Sequence, residues 1–477
     1  MKRSPLLPLV CSLPCFTELA AAEFQVFGIL ESELKLSRVN ALSANGNVLV
    51  GTGLTVDGSN EAFIWTREGG LTMLGTMPGA FYSYGNGVSA NGQYVVGHVL
   101  SEVDGHPTPF IWSAQDGKVP LPRTPGGEQA TAKDVSDDGR IIVGGADTEE
   151  SSSLNNQAVR WVNGVLEPLG DLPGGSVEGT AHSVSTDGLV SVGYSTKGGP
   201  LGAFRHHPAT GMIDLGLLPG VTGYGSSEAL AVSGTGKYIV GTTRSLTDSF
   251  NVMFIWSQDG GMKDLGRVGN GDYNTKATAV NRKGTVVVGT NTTKAMVWTA
   301  KYGTKELRLF LEQDCGINLD GWRPVDAVIS DDGTTIAGSA RKDGVYGYHA
   351  YVAVIPSSIA NDSDADGLDD EWELQYFSGL AATPQGDADA DGNSNLLEAR
   401  LGLNPVSGSS RFTATCSTTG ALEWPGAEGL TFKIERSADL DEWKTLEEAM
   451  PGIAGTMSFT DPAPLPRRGY YRVSLNE

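Results

Sequence analysis

The chain has 477 residues, of which 64 are glycine, 39% are hydrophobic and 19% are charged, and its formal net charge is −22. The length suggests about three domains, the glycine content predicts dense turns, and the hydrophobic content is sufficient for packed cores. The negative charge excludes nucleic acid and anionic membrane surfaces as favoured partners, because both would be repelled.

The first 22 residues have the composition of an export signal. Lys2 and Arg3 give a basic start, an apolar stretch follows, and Ala20 and Ala22 fit a small-residue cleavage site. We therefore predict that residues 1–22 are a signal peptide and that the protein is secreted, either extracellular or at the cell surface, with the periplasm as the alternative. No later apolar stretch approaches the roughly 18 residues of a membrane-spanning helix, so no transmembrane segment is predicted.

A hairpin pattern then recurs seven times. Each copy has a short apolar strand, a polar turn that ends in glycine, and a β-branched strand that ends in a second glycine, as in GVSANGQYVVG and DVSDDGRIIVG. This pattern predicts two antiparallel strands joined by a tight turn. The turn glycines are spaced 46 to 49 residues apart and are Gly46, Gly92, Gly139, Gly188, Gly236, Gly284 and Gly333.

Two more strands follow the hairpin in most copies. The third has the pattern A-F-x-W, whose aromatic residues we expect in the core, and the fourth resembles LTMLG, with VPLP at 119 and ELRLF at 306 as weaker examples. Four strands in about 48 residues predict one propeller blade. The seventh copy lacks a fourth strand, and FQVFG at 24–28 has the missing pattern. We therefore predict a mainly β chain with a seven-bladed β-propeller at residues 23–356, closed by the N-terminal strand.

The repeats resemble the HAF repeats of secreted bacterial proteins, which are named after a histidine-alanine-phenylalanine segment. The resemblance covers residues 24–356 and depends on the V-S-x-D-G-x-x-V-V-G hairpins, the A-F-x-W strands and ends such as LGDLPGG. The segment that names the family occurs once as H-A-[FY], at His349, Ala350 and Tyr351. The resemblance implies an extracellular propeller and no particular catalytic residues.

Two acidic loops follow, DSDADGLDDEWE from residue 362 and DADADGNSNLLE from residue 387. Oxygen donors occupy positions 1, 3, 5, 7, 9 and 12 and glycine occupies position 6, which is the spacing of EF-hand calcium loops. We therefore predict Ca²⁺ as the cofactor. The predicted metal ligands are Asp362, Asp364, Asp366, Leu368 through its carbonyl, Asp370, Glu373, Asp387, Asp389, Asp391, Asn393 through its carbonyl, Asn395 and Glu398.

A helical segment follows each loop, DEWELQYF and NLLEARL, and none is evident before it. Residues 357–408 are therefore predicted to be a connector of two loop-helix halves, and they resemble the bacterial thrombospondin type 3 repeat. A dockerin that binds a cohesin is one alternative, although Glu371, Trp372, Leu396 and Leu397 do not match its partner-binding signature. An acidic linker that binds no ion is the other alternative.

Residues 409–477 alternate short strands with turns and resemble the C-terminal β-sandwich that follows such calcium repeats in secreted bacterial proteins. Cys315 and Cys416 are the cysteines that remain after export. They allow a disulfide in an oxidising compartment, but they fall in different predicted modules, so free thiols are favoured.

The sequence contains no complete catalytic motif. None of its 6 histidines forms H-E-x-x-H, no G-x-S-x-G is present, and the adjacent His206 and His207 occupy repeat positions that carry other residues in other blades. Asp134, Asp137 and Asp331 offer carboxylates for glycoside chemistry, but ordinary turn chemistry explains Asp137 and Asp331.

We therefore predict a non-enzymatic, monomeric calcium-binding protein that acts in extracellular binding, adhesion or surface structure. Its predicted partner is an extracellular protein or polysaccharide. The alternative is a carbohydrate-active hydrolase or lyase that uses the propeller funnel. A funnel with convergent acids and exposed aromatic side chains would favour the enzyme, and an uncharged, featureless funnel would favour the binding protein.

Overall fold

The computed structural model describes residues 23–27, 34–147, 156–221, 225–244, 250–268, 274–291, 293–362, 364, 366–377, 379–417, 420–426, 430–453, 455–465 and 469–475. The predicted signal peptide at residues 1–22 lies outside the described residues. The chain divides into two compact units, residues 1–360 and 361–477. Within the described ranges, no helix combines the length and the apolar character that crossing a membrane requires.

The first unit is a seven-bladed β-propeller of six four-stranded sheets and one five-stranded sheet, so the predicted fold class is confirmed. The first strands of neighbouring blades contact one another around a central channel, and the other strands follow outward in chain order. Blade one consists of Leu34–Leu42, Val48–Thr55, Asn60–Thr66 and Gly70–Met73; blade two of Ala80–Val88, Tyr94–Ser101, Pro107–Ser113 and Gly117–Pro120; and blade three of Ala130–Val135, Ile141–Ala146, Gln157–Val162 and Val165–Pro168.

The remaining blades repeat this arrangement. Blade four consists of Gly179–Val184, Ser191–Thr196, Leu201–His207 and Gly211–Asp214; blade five of Ser227–Val232, Tyr238–Arg244, Asn251–Ser257 and Gly261–Asp264; and blade six of Lys276–Val280, Val286–Thr290, Ala295–Thr299 and Gly303–Glu306. Blade seven consists of Arg323–Pro324, Val328–Ile329, Thr335–Arg341 and His349–Val354, together with the N-terminal strand Glu23–Phe27.

The N-terminal strand closes the ring as predicted. It pairs antiparallel with the last strand of blade seven, with Glu23 opposite Val354 and Phe27 opposite Ala350. Phe27 also stacks on Trp65 of blade one, with 4.8 Å between the ring centroids. One strand therefore ties the last blade to the first and covers a sheet edge that would otherwise be open.

Glycine at the end of each hairpin pattern is explained by a β-bulge in the first strand of the blade. In blade two the pairing shifts between Gly85 and Gly87, so Asn86 has no partner on the second strand. A Cβ atom on Gly97 of that second strand would overlap the Tyr84 carbonyl oxygen. The bulged strand therefore approaches too closely for any side chain, which requires glycine.

The aromatic residues of the A-F-x-W strands contribute to the core in two ways. The phenylalanines Phe63, Phe110, Phe204 and Phe254 are fully buried. The tryptophans differ from one another, since Trp65 and Trp161 are buried whereas Trp112, Trp256 and Trp298 are half-buried. The expectation that these aromatic residues lie in the core is therefore only partly met for tryptophan.

One predicted strand is helical in the structure. The fourth strand of blade six ends at Glu306, and ELRLF continues as a short helix, Leu307–Leu309, and a π-helical turn, Phe310–Asp314. Leu307, Phe310 and Leu311 are fully buried. Their spacing of three and four residues places them on one helical face, and burial of that face outweighs the strand pattern.

The start of the predicted connector also differs. Ser357–Ala360 forms a single helical turn, and Ala360 is fully buried in the propeller core. The Ala360 carbonyl accepts hydrogen bonds from Asn281 and Thr285 of blade six. These four residues therefore belong to the propeller unit.

The second unit contains both predicted helices, Asp370–Phe377 and Asn395–Leu401. Gly402 ends the second helix in the left-handed conformation, with φ 67°. Two three-stranded sheets follow, so the predicted β-sandwich is present. Their strands are Thr415–Cys416, Ala421–Gly426 and Gly455–Thr460 in one sheet, and Trp443–Pro451, Thr431–Ser437 and Tyr470–Leu475 in the other. Cys315 and Cys416 are both free thiols.

Candidate functional site

The central channel of the propeller is lined by the residues at the β-bulges. A bulge directs the extra side chain away from the strand ladder, and six blades carry one at the same position of the repeat. We call these residues the bulge layer. They are Asn40, Asn86, Lys133, His182, Leu230 and Thr278.

The hairpin turns lie at one end of the channel. One apolar side chain from each blade forms a ring there, and the ring consists of Leu42, Val88, Val135, Val184, Val232, Val280 and Ile329. Beyond it the turns of neighbouring blades hydrogen-bond to each other. The Thr186 N–H donates to the Gly234 carbonyl at 3.0 Å, and the Asp331 N–H donates to the Ala44 carbonyl at 2.9 Å. We call the opposite end of the channel the mouth.

A second layer lies toward the mouth, two residues before the bulges, where strand alternation returns side chains to the channel face. His182 of the bulge layer contacts Glu228 of this layer, with 3.1 Å between Nε2 and Oε1, and Lys276 Nζ lies 3.9 Å from the other carboxylate oxygen. Burial alone would raise the pKa of Glu228, but the His182 hydrogen bond and the charges of His182 and Lys276 lower it. Glu228 is therefore an ionised carboxylate that orients His182.

Lys133 occupies the bulge position of blade three. Burial lowers the pKa of its ammonium group from the ordinary 10.5. Among the described residues, it has no hydrogen-bond or ion-pair partner that would hold the charged form. The nearby His98 stays neutral, because burial and the charge of Lys133 lower its pKa to about 4. Lys133 is thus a lysine that loses its proton more readily than usual.

The mouth adds aromatic and cationic groups. A cavity of about 350 Å³ there is lined by Arg38, Tyr84 and Tyr348, and Asn40 lines both this cavity and the channel cavity of about 200 Å³. The Arg38 guanidinium lies over the Tyr348 ring, 4.6 Å from its centroid. The funnel is therefore charged and carries aromatic side chains.

The carboxylates named from the sequence are occupied by contacts between blades. Asp134 accepts from the Ser183 hydroxyl at 2.8 Å and from the Val184 N–H at 2.9 Å, although burial raises its pKa. Asp137 accepts from the Asn91 N–H at 2.7 Å. Asp331 lies in the ring of turns, where burial raises its pKa. The described channel therefore offers no convergent pair of unoccupied acids.

The adjacent histidines do not form a metal site within the described residues. His206 is buried, and burial and the charge of Arg160 lower its pKa to about 4. His207 is the last residue of its strand, and its Nδ1 accepts a hydrogen bond from the Ala209 N–H at 3.1 Å. The two rings therefore face different surroundings.

The first acidic loop gathers its carboxylates. Ligand atoms of Asp362, Asp364 and Asp370 lie within 4.8 Å of one another, as do those of Asp364, Asp366 and Glu373. The Asp362 carboxylate accepts from the N–H groups of Asp366 and Gly367, at 3.1 and 3.0 Å. Gly367, at loop position 6, has φ 102°, which glycine adopts most easily.

The second loop repeats this geometry. Asp387, Asp389 and Asp391 place ligand atoms within 4.8 Å of one another. Asp387 accepts from the N–H groups of Asp391 and Gly392, at 3.2 and 2.9 Å, and Gly392 has φ 95°. Asn395 is buried with no partner for its Oδ1, although its Nδ2 donates to the Thr383 carbonyl.

The last glutamate of each loop has a buried carboxylate that lacks hydrogen bonds of normal geometry. Glu373 and Glu398 are fully buried, and neither carboxylate makes a well-formed hydrogen bond in the described structure, although the Ala382 backbone lies near Glu373. Burial and the neighbouring aspartates raise the pKa of each to about 7. A buried carboxylate without a partner is costly, so a divalent cation fits the donor set. Leu368 and Asn393 lie at position 7, where backbone carbonyls complete such a set.

Comparisons with solved structures find similar proteins at low identity. No protein-family model and no curated protein matches the sequence. An oligogalacturonate lyase in complex with manganese is 11% identical, over 71% of this chain and 98% of that chain, with a TM-score of 0.46. A puromycin hydrolase mutant is 12% identical, over 84% and 60%, with a TM-score of 0.45. A TolB protein from Agrobacterium tumefaciens is 14% identical, over 60% and 94%, with a TM-score of 0.37.

The prediction of a non-enzymatic binding or structural protein is wrong. The structures to which this chain is similar include lyases, a hydrolase and prolyl endopeptidases as well as TolB proteins. The funnel is also not featureless, since it carries Lys133, His182, Glu228 and Arg38. Sequence reasoning missed Lys133 because it lies in a strand pattern that only the bulge turns toward the channel.

Proposed function

We propose that the protein is a carbohydrate-active lyase with its active site in the channel and mouth of the propeller. The substrate class is a polysaccharide that contains uronate units. The observation that carries the proposal is Lys133, a channel lysine with a lowered pKa and no partner among the described residues. A lysine whose pKa is lowered by burial can more readily supply the neutral amine that abstracts a proton next to a carboxylate.

The reaction would be a β-elimination. Lys133 takes the proton from the carbon that bears the carboxylate, the electrons of that C–H bond form a carbon–carbon double bond, and the bond to the glycosidic oxygen on the next carbon breaks. His182, oriented by Glu228 at 3.1 Å, supplies a proton to the departing oxygen. Arg38 and Lys276 at the mouth supply the positive charge that stabilises the substrate carboxylate.

Hydrolysis of a glycoside is less well supported. It requires two carboxyl groups on either side of the bond, one of them a proton donor. Glu228 is held ionised beside His182, and Asp134 is occupied by Ser183 and Val184. The described channel therefore provides a base and a cationic environment in place of a carboxyl pair.

The geometry also favours action near chain ends. The channel cavity of about 200 Å³ is smaller than the roughly 300–1,000 Å³ of most ligand pockets, so the mouth cavity must hold part of the substrate. We propose that the ring of apolar side chains and the linked turns stop a polymer from passing through the channel. A short oligosaccharide or a chain end would therefore be the preferred substrate.

Product analysis on uronate-containing oligosaccharides tests the proposal. Elimination gives a product with a new double bond conjugated to the carboxylate, which ultraviolet absorbance detects. Reducing ends that appear without this absorbance would indicate hydrolysis and contradict the lyase. Turnover of no uronate substrate in the panel would also contradict the proposal.

We further propose that the two acidic loops bind Ca²⁺ through the predicted ligands. The support is that Glu373 and Glu398 are buried without well-formed hydrogen bonds beside clustered aspartates. Oxygen donors of this number suit calcium, and loops of extracellular modules bind it with Kd of about 10⁻⁴ to 10⁻³ M. Calorimetry on the full chain tests this, and no heat of binding at millimolar calcium would contradict it. Export and the resemblances to HAF and thrombospondin type 3 repeats remain predictions.

A further inference from the structure

A separate cleft lies between blades four and five, on the face where the hairpin turns lie. Its volume is about 440 Å³. The residues that matter for its chemistry are Arg205, His207, Lys237, Trp256, Asp187 and Asp259. All of them are described by the structure, and none lines the channel or the mouth.

Three of these residues lie at positions that vary between blades. The position of Arg205 carries Ile64, Ile111 and Ile255 in three other blades and Arg160 in blade three. The position of His207 carries Thr66, Ser113, Ser257 and, in blade three, Val162. The position of Lys237 carries Thr285 and Thr334 in two blades and Arg140 in blade three. Arg160 of blade three is followed by Leu189 in the next turn, and Arg140 follows Ile111 of blade two. The cleft between blades four and five therefore combines two cations, which occur singly elsewhere, with an imidazole.

The cleft offers donors and acceptors in balance around an aromatic ring. In the part of the chain that is described, Arg205 has no hydrogen-bond or ion-pair partner, and Lys237 contacts only the Tyr238 ring, at 5.2 Å. Because His207 Nδ1 accepts from Ala209, a neutral ring keeps its proton on Nε2 as a donor. Asp259 and Gln258 are exposed acceptors that also line the cleft. The two cations are matched by the carboxylates of Asp187 and Asp259, so the cleft has no net formal charge.

Trp256 supplies the apolar surface of the cleft. It is half-buried, in contrast to the fully buried Trp161 at the same position of blade three. A partly exposed indole beside charged donors and acceptors binds a flat ligand that has C–H faces and hydroxyl groups at its edge. A neutral sugar combines these features, because each hydroxyl both donates and accepts.

We infer that this cleft is a binding site for a neutral oligosaccharide, distinct from the proposed active site. It would hold the protein on a glycan while the channel acts elsewhere on the chain or on another polymer. The inference rests on the cleft alone and does not depend on the proposed lyase reaction.

The test replaces three cleft residues by residues found at the same positions in other blades, as Arg205→Ile, His207→Ser and Lys237→Thr in one variant. Each replacement is already tolerated at its position elsewhere in the propeller, so the fold is preserved, and the melting temperature verifies this. Calorimetry with short neutral oligosaccharides of glucose, xylose, mannose or galactose should detect binding to the full chain. The triple variant should bind at least about tenfold more weakly, because several hydrogen bonds are lost together.

Arg140→Thr is the matched control, because Arg140 follows the turn glycine of blade three as Lys237 follows that of blade five. It should bind as the unaltered chain does. Lys133→Met should also retain binding, which separates this site from the channel. The inference is overturned if none of the neutral probes binds, if only uronate oligosaccharides bind, or if the triple variant binds as tightly as the unaltered chain.

Discussion

The acidic loops and the central channel assemble polar groups in opposite ways. Each loop takes its donors from twelve consecutive residues, such as 362–373, and a glycine turn folds them around one point. The channel takes Lys133, His182 and Lys276 from three blades, and only closure of the ring brings them together. A local site is therefore readable from spacing, whereas a site built by the repeats depends on tertiary structure.

The channel depends on one unpaired lysine, and its loss should have the largest effect. Lys133→Met removes the proposed base and should lower the rate on a uronate substrate by about 10³-fold, within the range of general base catalysis. Measurement of kcat and KM by ultraviolet absorbance checks this. Lys301→Met, at an exposed position, is the control and should leave both unchanged. A Lys133→Met rate within tenfold of the original would remove lysine from the mechanism.

The repeat fold depends on the glycines that face the bulges. Gly97→Ala would place a Cβ against the Tyr84 carbonyl and should cost about 3 kcal/mol of unfolding free energy or more, because the backbone cannot yield cheaply. Denaturation monitored by fluorescence checks this, with calcium affinity of the loops expected to stay unchanged. Gly379→Ala has open space around it and should change stability by less than about 0.5 kcal/mol.

The loops should respond to a change that leaves the channel untouched. Glu398→Gln removes one anionic ligand at position 12 and should weaken calcium binding by the second loop by about 10- to 100-fold. Calorimetry measures the loss, and lyase activity measured with the same sample should not fall. Glu423→Gln, on an exposed strand position of the β-sandwich, should have no effect. Equal calcium binding by both variants would mean that Glu398 is not a ligand.

The smallest effect expected is a shift in the pH profile of the channel. Lys133 acts as a base only when neutral, so the rate should rise with pH through its pKa, which burial places below the ordinary 10.5. Asn86 donates to the carbonyl of Ala132, the residue before Lys133. Asn86→Asp should therefore stabilise the ammonium form and move the rising limb to higher pH by about one unit.

The matched control for that shift is Asn40→Asp. Asn40 donates to the Gly85 carbonyl of the next blade in the same way, at 2.7 Å, but no lysine follows that carbonyl. The control should lose the equivalent hydrogen bond without shifting the rising limb of the pH–rate profile. Equal shifts of the rising limb of the pH–rate profile for both variants would mean that a group other than Lys133 controls it.

The parts predicted from the sequence are those in which each residue pattern has one local solution. The turn glycines, the strand order, the closure by Glu23–Phe27 and the helix that Gly402 ends all follow from short patterns. The strand prediction for ELRLF was wrong, because its apolar residues fit a strand or a helix equally well. Packing of the buried Phe310 selected the helix. The sequence did not predict the channel residues, because comparison of the repeats treats Lys133 as one variable residue among others.

The sequence alone determined the blade count, the closing strand and the spacing of two acidic loops, because these depend on periodicity and on residues that are neighbours in the chain. Tertiary structure decided which variable positions face a common space. The bulge turns Lys133 and His182 into the channel, and the packing of blade four against blade five places Arg205 beside Lys237. The physical reason is that a repeat fixes each blade internally, whereas the surroundings of a side chain come from the neighbouring blade.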